Sequence, residues 1–368
     1  MKGVYIHIPF CEHLCIYCDF VKERAKPEKM ARYVDALLHE IACQIETRQV
    51  IDTVYIGGGT PSYLNLILLE KLLMRLQEAI DLKALKEFTI ECNPQDINDD
   101  LLKLLKRYYV NRISLGIQTF NDSALKLLNR KHTSDTAKNA LAMIEKHNFT
   151  RLSVDLIFNL PYQTMHDVMT DLKTVITLNI PHISYYSLIV EENTRLFYQL
   201  KQGFITQGDN DTEAEMYAQI IDTLTTNGYE HYEISNFAKP NHRSIHNQIY
   251  WKDHDYYGFG AGSHGKLNQQ RYYNYQSVKQ YIEKTLMHGS GLQTTYPYEP
   301  VRDYLLMGLR MLEGIDLSVF KTRFGTDIFT LYPKLHECIV QGLVLVENNH
   351  LKFTPKGLFF GNDVFALF

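Results

Sequence analysis

Three cysteines near the N-terminus have the spacing that most clearly indicates chemistry in this chain. Cys11, Cys15 and Cys18 lie within eight residues, directly after a short β-branched run. Three thiolates on one loop can bind three corners of a 4Fe–4S cluster, which leaves the fourth iron open to a chelating ligand. The alternative is a zinc loop, for which the candidate fourth ligands are His7, His13 and Asp19. Zinc loops usually combine two separated ligand pairs, and no second pair follows downstream, so the sequence favours the cluster.

The remaining cysteines and the composition indicate the protein's surroundings. Cys43, Cys92 and Cys338 are isolated, which predicts buried, small apolar side chains. A disulfide framework would spread its cysteines along a short secreted chain, so this pattern predicts a cytoplasmic location. The net charge of −4 gives no support for a nucleic-acid partner. The N-terminus lacks a secretory-signal pattern, and no apolar run reaches the ~18–20 residues that span a bilayer.

Alternating strand and helix patterns over residues 1–235 would position the cysteine loop. Short β-branched runs predict strands at 4–8, 53–56, 88–91, 113–116, 153–158 and 182–188. Amphipathic stretches predict helices near 29–47, 65–79, 101–108, 134–147, 164–178 and 211–226, with Asn98 and Ser134 as N-caps of two of them. Six β-then-α units indicate parallel strands, which fit either a doubly wound sheet or a partial barrel.

Polar and glycine-rich segments at the strand ends favour the barrel. These segments are Gly57-Gly58-Gly59-Thr60-Pro61, Glu91-Cys92-Asn93-Pro94, Gln118 and Asp155. All of them fall at or just after the C-terminal ends of predicted strands, the rim at which β/α barrels carry their functional residues. The expected fold is therefore α/β, with a partial (β/α)6-type barrel.

The pattern changes twice after the barrel and predicts three parts of the chain. Residues 1–235 form the barrel, residues 236–296 a connecting segment rich in His, Asn, Tyr and Gly, and residues 297–368 a C-terminal domain. Helical patterns at 303–312 and 331–342, followed by strands at 343–347 and 351–353 around a turn at 348–350, indicate a mostly helical, winged-helix-like module. Because the protein is acidic, we expect this module to pack over the barrel as a lid, and we favour that role over DNA binding.

The segment Tyr5-Ile6-His7-Ile8-Pro9-Phe10-Cys11, followed by the CX3CX2C pattern, resembles the radical S-adenosylmethionine superfamily. More narrowly, it is similar to the HemN/HemW branch associated with porphyrins and heme, over nearly the whole chain. The resemblance implies that the amino and carboxylate groups of S-adenosylmethionine chelate the open iron. It also implies that an electron from the cluster can break the sulfonium C–S bond and give a deoxyadenosyl radical.

The resemblance further implies the contacts to S-adenosylmethionine. Gly58, Gly59 and Thr60 would approach the methionyl amino group with their bare backbone. Glu91 would accept hydrogen bonds from ribose hydroxyls, and Arg130 would offer its guanidinium to a carboxylate. The other implied contacts are Tyr5, Tyr17, Gln118 and Asp155. Taken singly, each polar residue also fits a structural role.

Two features choose within the branch. The oxygen-independent coproporphyrinogen III oxidase type has a further cysteine two positions after the third, where this chain has Phe20. The heme-chaperone type, HemW, has the Cys-Asp-Phe form and an HNXXYW motif, present here at residues 246–251. His246 is a candidate axial ligand for heme iron, and Tyr250 and Trp251 could pack against the macrocycle. The alternative is a hydrogen-bonded structural histidine, the role we expect for His132 and His264.

The sequence therefore predicts a heme chaperone that binds a 4Fe–4S cluster, S-adenosylmethionine and heme, and delivers heme to an acceptor protein. The acceptor is unidentified, with a respiratory membrane protein as one candidate, so a location at the inner face of the membrane is compatible with a cytoplasmic protein. A homodimer is a further expectation. The alternatives are radical decarboxylation of coproporphyrinogen III and radical chemistry on an unrelated substrate. One departure from the family is Asn159, where glycine is usual.

Overall fold

A twelve-stranded mixed sheet dominates the computed structural model, which describes residues 1–45 and 49–368. The strands are β1 (Lys2–Ile8), β2 (Thr53–Gly58), β3 (Glu87–Cys92), β4 (Arg112–Gln118), β5 (Arg151–Phe158), β6 (His182–Ser187), β7 (Glu230–Glu233), β8 (Asn236–Ala238), β9 (Asp255–Phe259), β10 (His264–Leu267), β11 (Gln270–Asn274), β12 (Leu292–Tyr296), β13 (Ile315–Asp316), β14 (Val344–Glu347) and β15 (His350–Phe353).

The helices that cover and extend this sheet are α1 (Pro27–Gln44), α2 (Leu66–Ala79), α3 (Asp99–Arg107), α4 (Asp122–Leu127), α5 (Ser134–Lys146), α6 (Met165–Thr177), α7 (Arg195–Lys201), α8 (Asn210–Thr226), α9 (Ile245–Trp251), α10 (Val278–His288), α11 (Pro300–Gly308), α12 (Leu317–Phe324), α13 (Ile328–Leu331), α14 (Leu335–Val340), α15 (Pro355–Phe359) and α16 (Gly361–Phe365). Among the described residues, no helix is long and apolar enough to cross a membrane.

The strand order decides between the doubly wound sheet and the barrel. Strands β1 to β6 pair in chain order, each parallel to the next. A doubly wound sheet would reverse its order at one point, whereas successive right-handed crossovers in one direction place every helix on the same face. Strand β1 pairs on its other side with β9, and β6 with β8, so the barrel is open. The partial-barrel prediction is confirmed.

The local sequence explains most of the element boundaries. The six predicted strands of the barrel are confirmed to within two residues at either end. Asn98 caps α3 through a side-chain bond to the Leu101 amide, as predicted. The predicted cap at Ser134 is wrong, because Thr133 accepts the Thr136 amide and Ser134 is already the first residue of α5. The predicted end of the first helix at residue 47 lies outside the described residues.

The segment after the barrel contains more sheet than its sequence predicts. Strands β9 to β12 extend the barrel sheet beyond β1, and β8 and β7 extend it beyond β6. Their residues show little period-two alternation of apolar and polar side chains, and β10 and β11 contain no β-branched residue. The domain boundaries at residues 235/236 and 296/297 stay predictions.

The C-terminal residues have an apolar core of their own. Helices α11 to α16 surround a three-stranded antiparallel sheet of order β13-β15-β14, around Leu305, Phe320 and Leu351. The hairpin turn is Asn348-Asn349, both with positive φ, as a tight primed turn requires. His350, predicted in the turn, is instead the first residue of β15.

Candidate functional site

The interior of the barrel is polar. On β3, Phe88 and Ile90 belong to the apolar core beneath the helices, so Thr89 and Glu91 face the opposite side. The same alternation on the neighbouring strands places Tyr55 (β2), Ser114 (β4) and Asp155 (β5) in the interior. Parallel strands bring their C-terminal ends to one rim, where the cysteine loop follows β1.

The first cysteine is fixed against the glycine-rich loop. The Cys11 amide donates to the Glu23 carbonyl oxygen at 3.1 Å, and the Thr60 hydroxyl donates to Cys11 Sγ at 3.5 Å. A Cβ on Gly59 would lie 2.9 Å from that sulfur and 3.0 Å from two backbone atoms, so only glycine allows this approach. Burial raises the pKa of the Cys11 thiol to about 11, and the neighbouring cysteines add to the rise.

The other two cysteines lie beside cationic side chains. Arg130 Nη1 approaches Cys15 Sγ at 3.6 Å, and the Lys22 ammonium bonds the Cys18 carbonyl oxygen. Burial raises the pKa of Cys18, and Lys22 offsets part of that rise. Cationic side chains stabilise the thiolate, the form of cysteine that binds a metal, so the loop is compatible with an iron–sulfur cluster.

The zinc alternative depends on a fourth ligand beside the three cysteines. Within residues 1–45 and 49–368, no three His, Cys, Asp or Glu side chains come close enough to hold one metal ion, and because this includes the three cysteines it does not choose between zinc and the cluster. His7 bonds the Val21 carbonyl oxygen through Nε2 at 2.8 Å, and burial lowers its pKa to about 4. The ring is therefore neutral, and its Nδ1 accepts from the Tyr5 hydroxyl at 2.9 Å.

Glu91 connects the barrel interior to the glycine-rich loop. Its Oε2 accepts from the Gly58 amide at 3.0 Å, and its Oε1 accepts from the Tyr55 hydroxyl at 2.7 Å. Gly58 has φ +115° and a Cβ there would meet the His7 ring at 2.6 Å, so glycine is required. Burial raises the pKa of Glu91 to about 7, and the Asp155 charge adds to it.

Arg130 joins the cysteine loop to three strand ends. Its Nη2 donates to Asn93 Oδ1 and to the Gly116 carbonyl oxygen, both at 2.7 Å. Asn93 in turn donates to the Thr60 hydroxyl at 3.1 Å. Arg130 Nε is buried without a partner among the described residues, and a carboxylate is the group it best matches.

The next two strands complete the rim. Gln118 is buried in a left-handed conformation (φ +70°), an uncommon backbone that clusters at binding sites. The Tyr186 hydroxyl donates to its Oε1 at 3.4 Å. Ser114 donates to both carboxylate oxygens of Asp155 at 3.2 Å, and burial raises the pKa of Asp155 to about 6. Asn159 adopts φ +57°, so the residue that replaces the usual glycine tolerates the same left-handed backbone.

The structure thus brings most of the predicted residues to one rim. Tyr5 and Tyr17 lie there as well: Tyr17 is half-buried beside Cys15 and Arg130, and burial strongly raises its pKa. Sequence reasoning placed Asn93 on the rim but gave it no role in the site, and it missed Tyr55. The signal for Asn93 was its place in the segment after β3, and the signal for Tyr55 was its inward position two residues before Gly57.

His246 lies at the opposite end of the barrel. Its Nδ1 is 2.7 Å from the hydroxyl of Thr53, the first residue of β2, and its Nε2 is 2.7 Å from the Tyr250 hydroxyl. The side chain has no exposed surface, and burial lowers its pKa to about 4. Both ring nitrogens are therefore engaged, which matches the hydrogen-bonded alternative; heme ligation would require α9 to open.

The sequence also predicted the roles of two further histidines and of three isolated cysteines. His132 is buried and bonds the Ile117 carbonyl oxygen at 3.0 Å, as a structural histidine does. His264 is exposed and stacks on Tyr273. Cys92 and Cys338 are buried as predicted, but the prediction for Cys43 is wrong, because this thiol is exposed near the C-terminal end of α1.

Known proteins resemble the chain over its full length. The sequence profile of the Radical SAM superfamily matches residues 5–175, and that of the HemN C-terminal domain matches residues 297–360. Heme chaperone HemW of Lactococcus lactis is 38% identical, with 100% of this chain and 97% of that protein covered. HemW of Bacillus subtilis is 36% identical, with coverage of 100% and 99%, and HemW of Escherichia coli is 33% identical, with coverage of 100% and 97%.

The fold is shared with a solved structure. It is coproporphyrinogen III oxidase (HemN) from Escherichia coli, described as a radical SAM enzyme. The TM-score is 0.86 at 24% sequence identity, with 100% of this chain and 89% of that chain covered.

Proposed function

Because the chain belongs to the HemW family of heme chaperones within the radical SAM superfamily, we propose that it binds heme and transfers it to an acceptor protein. The fold alone does not choose this function, since a coproporphyrinogen III oxidase has the same fold. The choice depends on residues.

The observation that carries the proposal is the identity of the residue two positions after the third cysteine, Cys18. Phe20 stands where the oxidase type has a further cysteine, and 63% of its side chain is exposed. An exposed phenylalanine supplies apolar surface and no sulfur ligand beside the cysteine loop. Together with 33–38% identity to HemW proteins over the whole chain, it favours heme handling over the oxidase reaction.

We propose that Cys11, Cys15 and Cys18 bind a 4Fe–4S cluster and that S-adenosylmethionine binds its open iron. Bound there, the cluster and S-adenosylmethionine would supply one-electron chemistry at the sulfonium. Gly58 and Gly59 hold the loop close against His7 and Cys11, beside the proposed site, and the unpartnered Arg130 Nε offers a donor to the methionyl carboxylate.

The remaining proposed contacts follow the rim. The half-buried carboxylate of Glu91 would accept ribose hydroxyls, and Asp155 stands on the next strand but one. Tyr5, Tyr17, Thr60 and Gln118 would complete the pocket for S-adenosylmethionine.

Several finer points stay predictions. These are a cytoplasmic location, attachment at the inner face of the membrane, a respiratory membrane protein as acceptor, and a homodimer. Heme ligation by His246 also stays a prediction, and the buried setting of its ring does not favour it.

A transfer assay tests the proposed function. The anaerobically reconstituted protein is titrated with hemin, and the loaded protein is mixed with an excess of an apo-heme protein whose holo spectrum differs. We expect a saturable Soret band that moves to the spectrum of the acceptor at a rate that rises with acceptor concentration, as direct transfer requires. Absence of a saturable band, or a transfer rate independent of acceptor concentration, would contradict the proposal.

A further inference from the structure

Helix α9, which contains the HNXXYW motif, closes the N-terminal end of the barrel. Its first amides are bound by the carboxylate of Glu87, the first residue of β3: the Ile245 and His246 amides donate to it at 3.1 and 2.9 Å. Arg112, the first residue of β4, donates to the same carboxylate at 2.8 Å and to the His242 carbonyl oxygen at 2.8 Å. Glu87 and Arg112 are almost fully buried, so α9 is a fixed floor of the barrel.

The side chain of His246 points from this floor into the barrel. Its ring stacks on that of Tyr55, with centroids 5.1 Å apart and an interplanar angle of 30°. Hydroxyls of Thr53 and Tyr250 bond its two nitrogens, and the Tyr250 ring packs edge-on against it at 5.1 Å. The imidazole therefore has one orientation, and it presents a fixed face to Tyr55.

Tyr55 connects His246 with the residues of the rim. Its hydroxyl donates to Glu91 Oε1 at 2.7 Å, and Glu91 Oε2 accepts from the Gly58 amide at 3.0 Å. Three contacts in series thus connect His246 with the glycine-rich loop. A tyrosine ring that lost its stacking partner could swing away from Glu91, which would then be free to turn out of the site.

We propose that His246 is a positioning residue, which acts through Tyr55 to hold Glu91 in the geometry that S-adenosylmethionine requires. This inference depends on the proposed S-adenosylmethionine site and gives the HNXXYW histidine a role on the floor of the barrel, away from any heme on the surface. The histidine touches neither the cysteine loop nor the rim.

The test measures the dissociation constant of S-adenosylmethionine by equilibrium dialysis on anaerobically reconstituted protein, together with iron per chain. Tyr55→Phe removes the hydroxyl and keeps the ring, and we expect about tenfold weaker binding, as for loss of a hydrogen bond to a charged group. His246→Ala removes the stacking partner and should weaken binding about as much. His246→Phe restores a ring against Tyr55 and should recover affinity to within about threefold of the wild type. Iron per chain should stay constant throughout.

A double-mutant cycle tests whether His246 acts through Tyr55. The Tyr55→Phe/His246→Ala protein should bind S-adenosylmethionine about as weakly as Tyr55→Phe alone, because both substitutions break one chain of contacts. Tyr257→Phe is the matched control, since that hydroxyl donates to Gln49 Oε1 at 2.7 Å and lies outside the barrel interior. It should bind as the wild type does.

Several results would overturn the inference. Fully additive effects would show that His246 acts independently of Tyr55. Unchanged affinity in His246→Ala would remove the histidine from the site, and loss of hemin binding alone in that variant would return it to a heme site. If His246→Ala does not fold, the two tyrosine variants decide. Equal loss of affinity for S-adenosylmethionine in Tyr55→Phe and in the Tyr257→Phe control would refute the role of the contacts between Tyr55 and Glu91. Failure of the wild type itself to bind S-adenosylmethionine would instead refute the proposed function.

Discussion

Glu91→Gln tests the electrostatics of the barrel interior. The carboxylate of Glu91 has a pKa raised from 4.5 to about 7, because burial and the Asp155 charge disfavour its ionised form. Gln keeps the size of the side chain and removes the charge. The amide oxygen can accept from Gly58, and the Tyr55 hydroxyl can turn to accept from the amide nitrogen.

The sign and size of the effect follow from the two pKa values. The folded protein holds the Glu91 proton more tightly than the unfolded chain does, so the wild type loses stability as the pH rises from about 4.5 to about 7. A rise of ~2.5 pKa units corresponds to ~3.4 kcal/mol when the group is fully ionised in both states. Most of this change, about 2.5 kcal/mol, falls between pH 5 and pH 8.5. Glu91→Gln lacks it.

The assay is urea unfolding of cluster-free protein at pH 5 and pH 8.5, followed by the fluorescence of Trp251, the single tryptophan. We expect the variant to gain about 2.5 kcal/mol relative to the wild type between the two pH values. Substitution of the exposed Glu215 by Gln is the control and should give the same difference at both pH values.

A pH-independent difference between Glu91→Gln and the wild type would refute this reasoning. A gain of the opposite sign would show that the hydrogen bonds from Tyr55 and Gly58 outweigh burial, so that the carboxylate is ionised well below neutral pH.

Two further predictions concern the cysteine loop. Gly59→Ala places a Cβ 2.9 Å from Cys11 Sγ and should lower the iron content per chain. Gly361→Ala is the control, because the nearest atom to its Cβ would lie at 3.6 Å, and it should keep the iron content of the wild type. Equal iron content in the two variants would contradict the close approach of Gly59 to Cys11. Cys15→Ser should lose iron and the visible absorbance of the cluster, and loss of stoichiometric zinc in its place would show that the loop binds zinc.

Much of the barrel was predictable because its signals are local. Each barrel strand has apolar residues that pack beneath the helices, and Asn98 caps its helix within three residues. The rim site was also predictable in part, because the C-terminal ends of parallel strands converge in any barrel of this order.

The rest depended on contacts between distant parts of the chain. Thr53 and Tyr55 lie on β2, whereas His246 lies about 190 residues later, and no spacing rule brings the histidine beneath the barrel. Its motif suggested a heme ligand because a histidine among aromatic residues fits heme, yet the ring is buried and has two hydroxyl partners. The strands β9 to β12 were missed because their pairing with β1 is likewise long-range.

The most direct test of the account is a side-by-side assay on one anaerobically reconstituted preparation, with hemin and with coproporphyrinogen III plus S-adenosylmethionine and a reductant. The account predicts saturable hemin binding and no protoporphyrinogen IX. Turnover of coproporphyrinogen III to protoporphyrinogen IX without saturable hemin binding would contradict it.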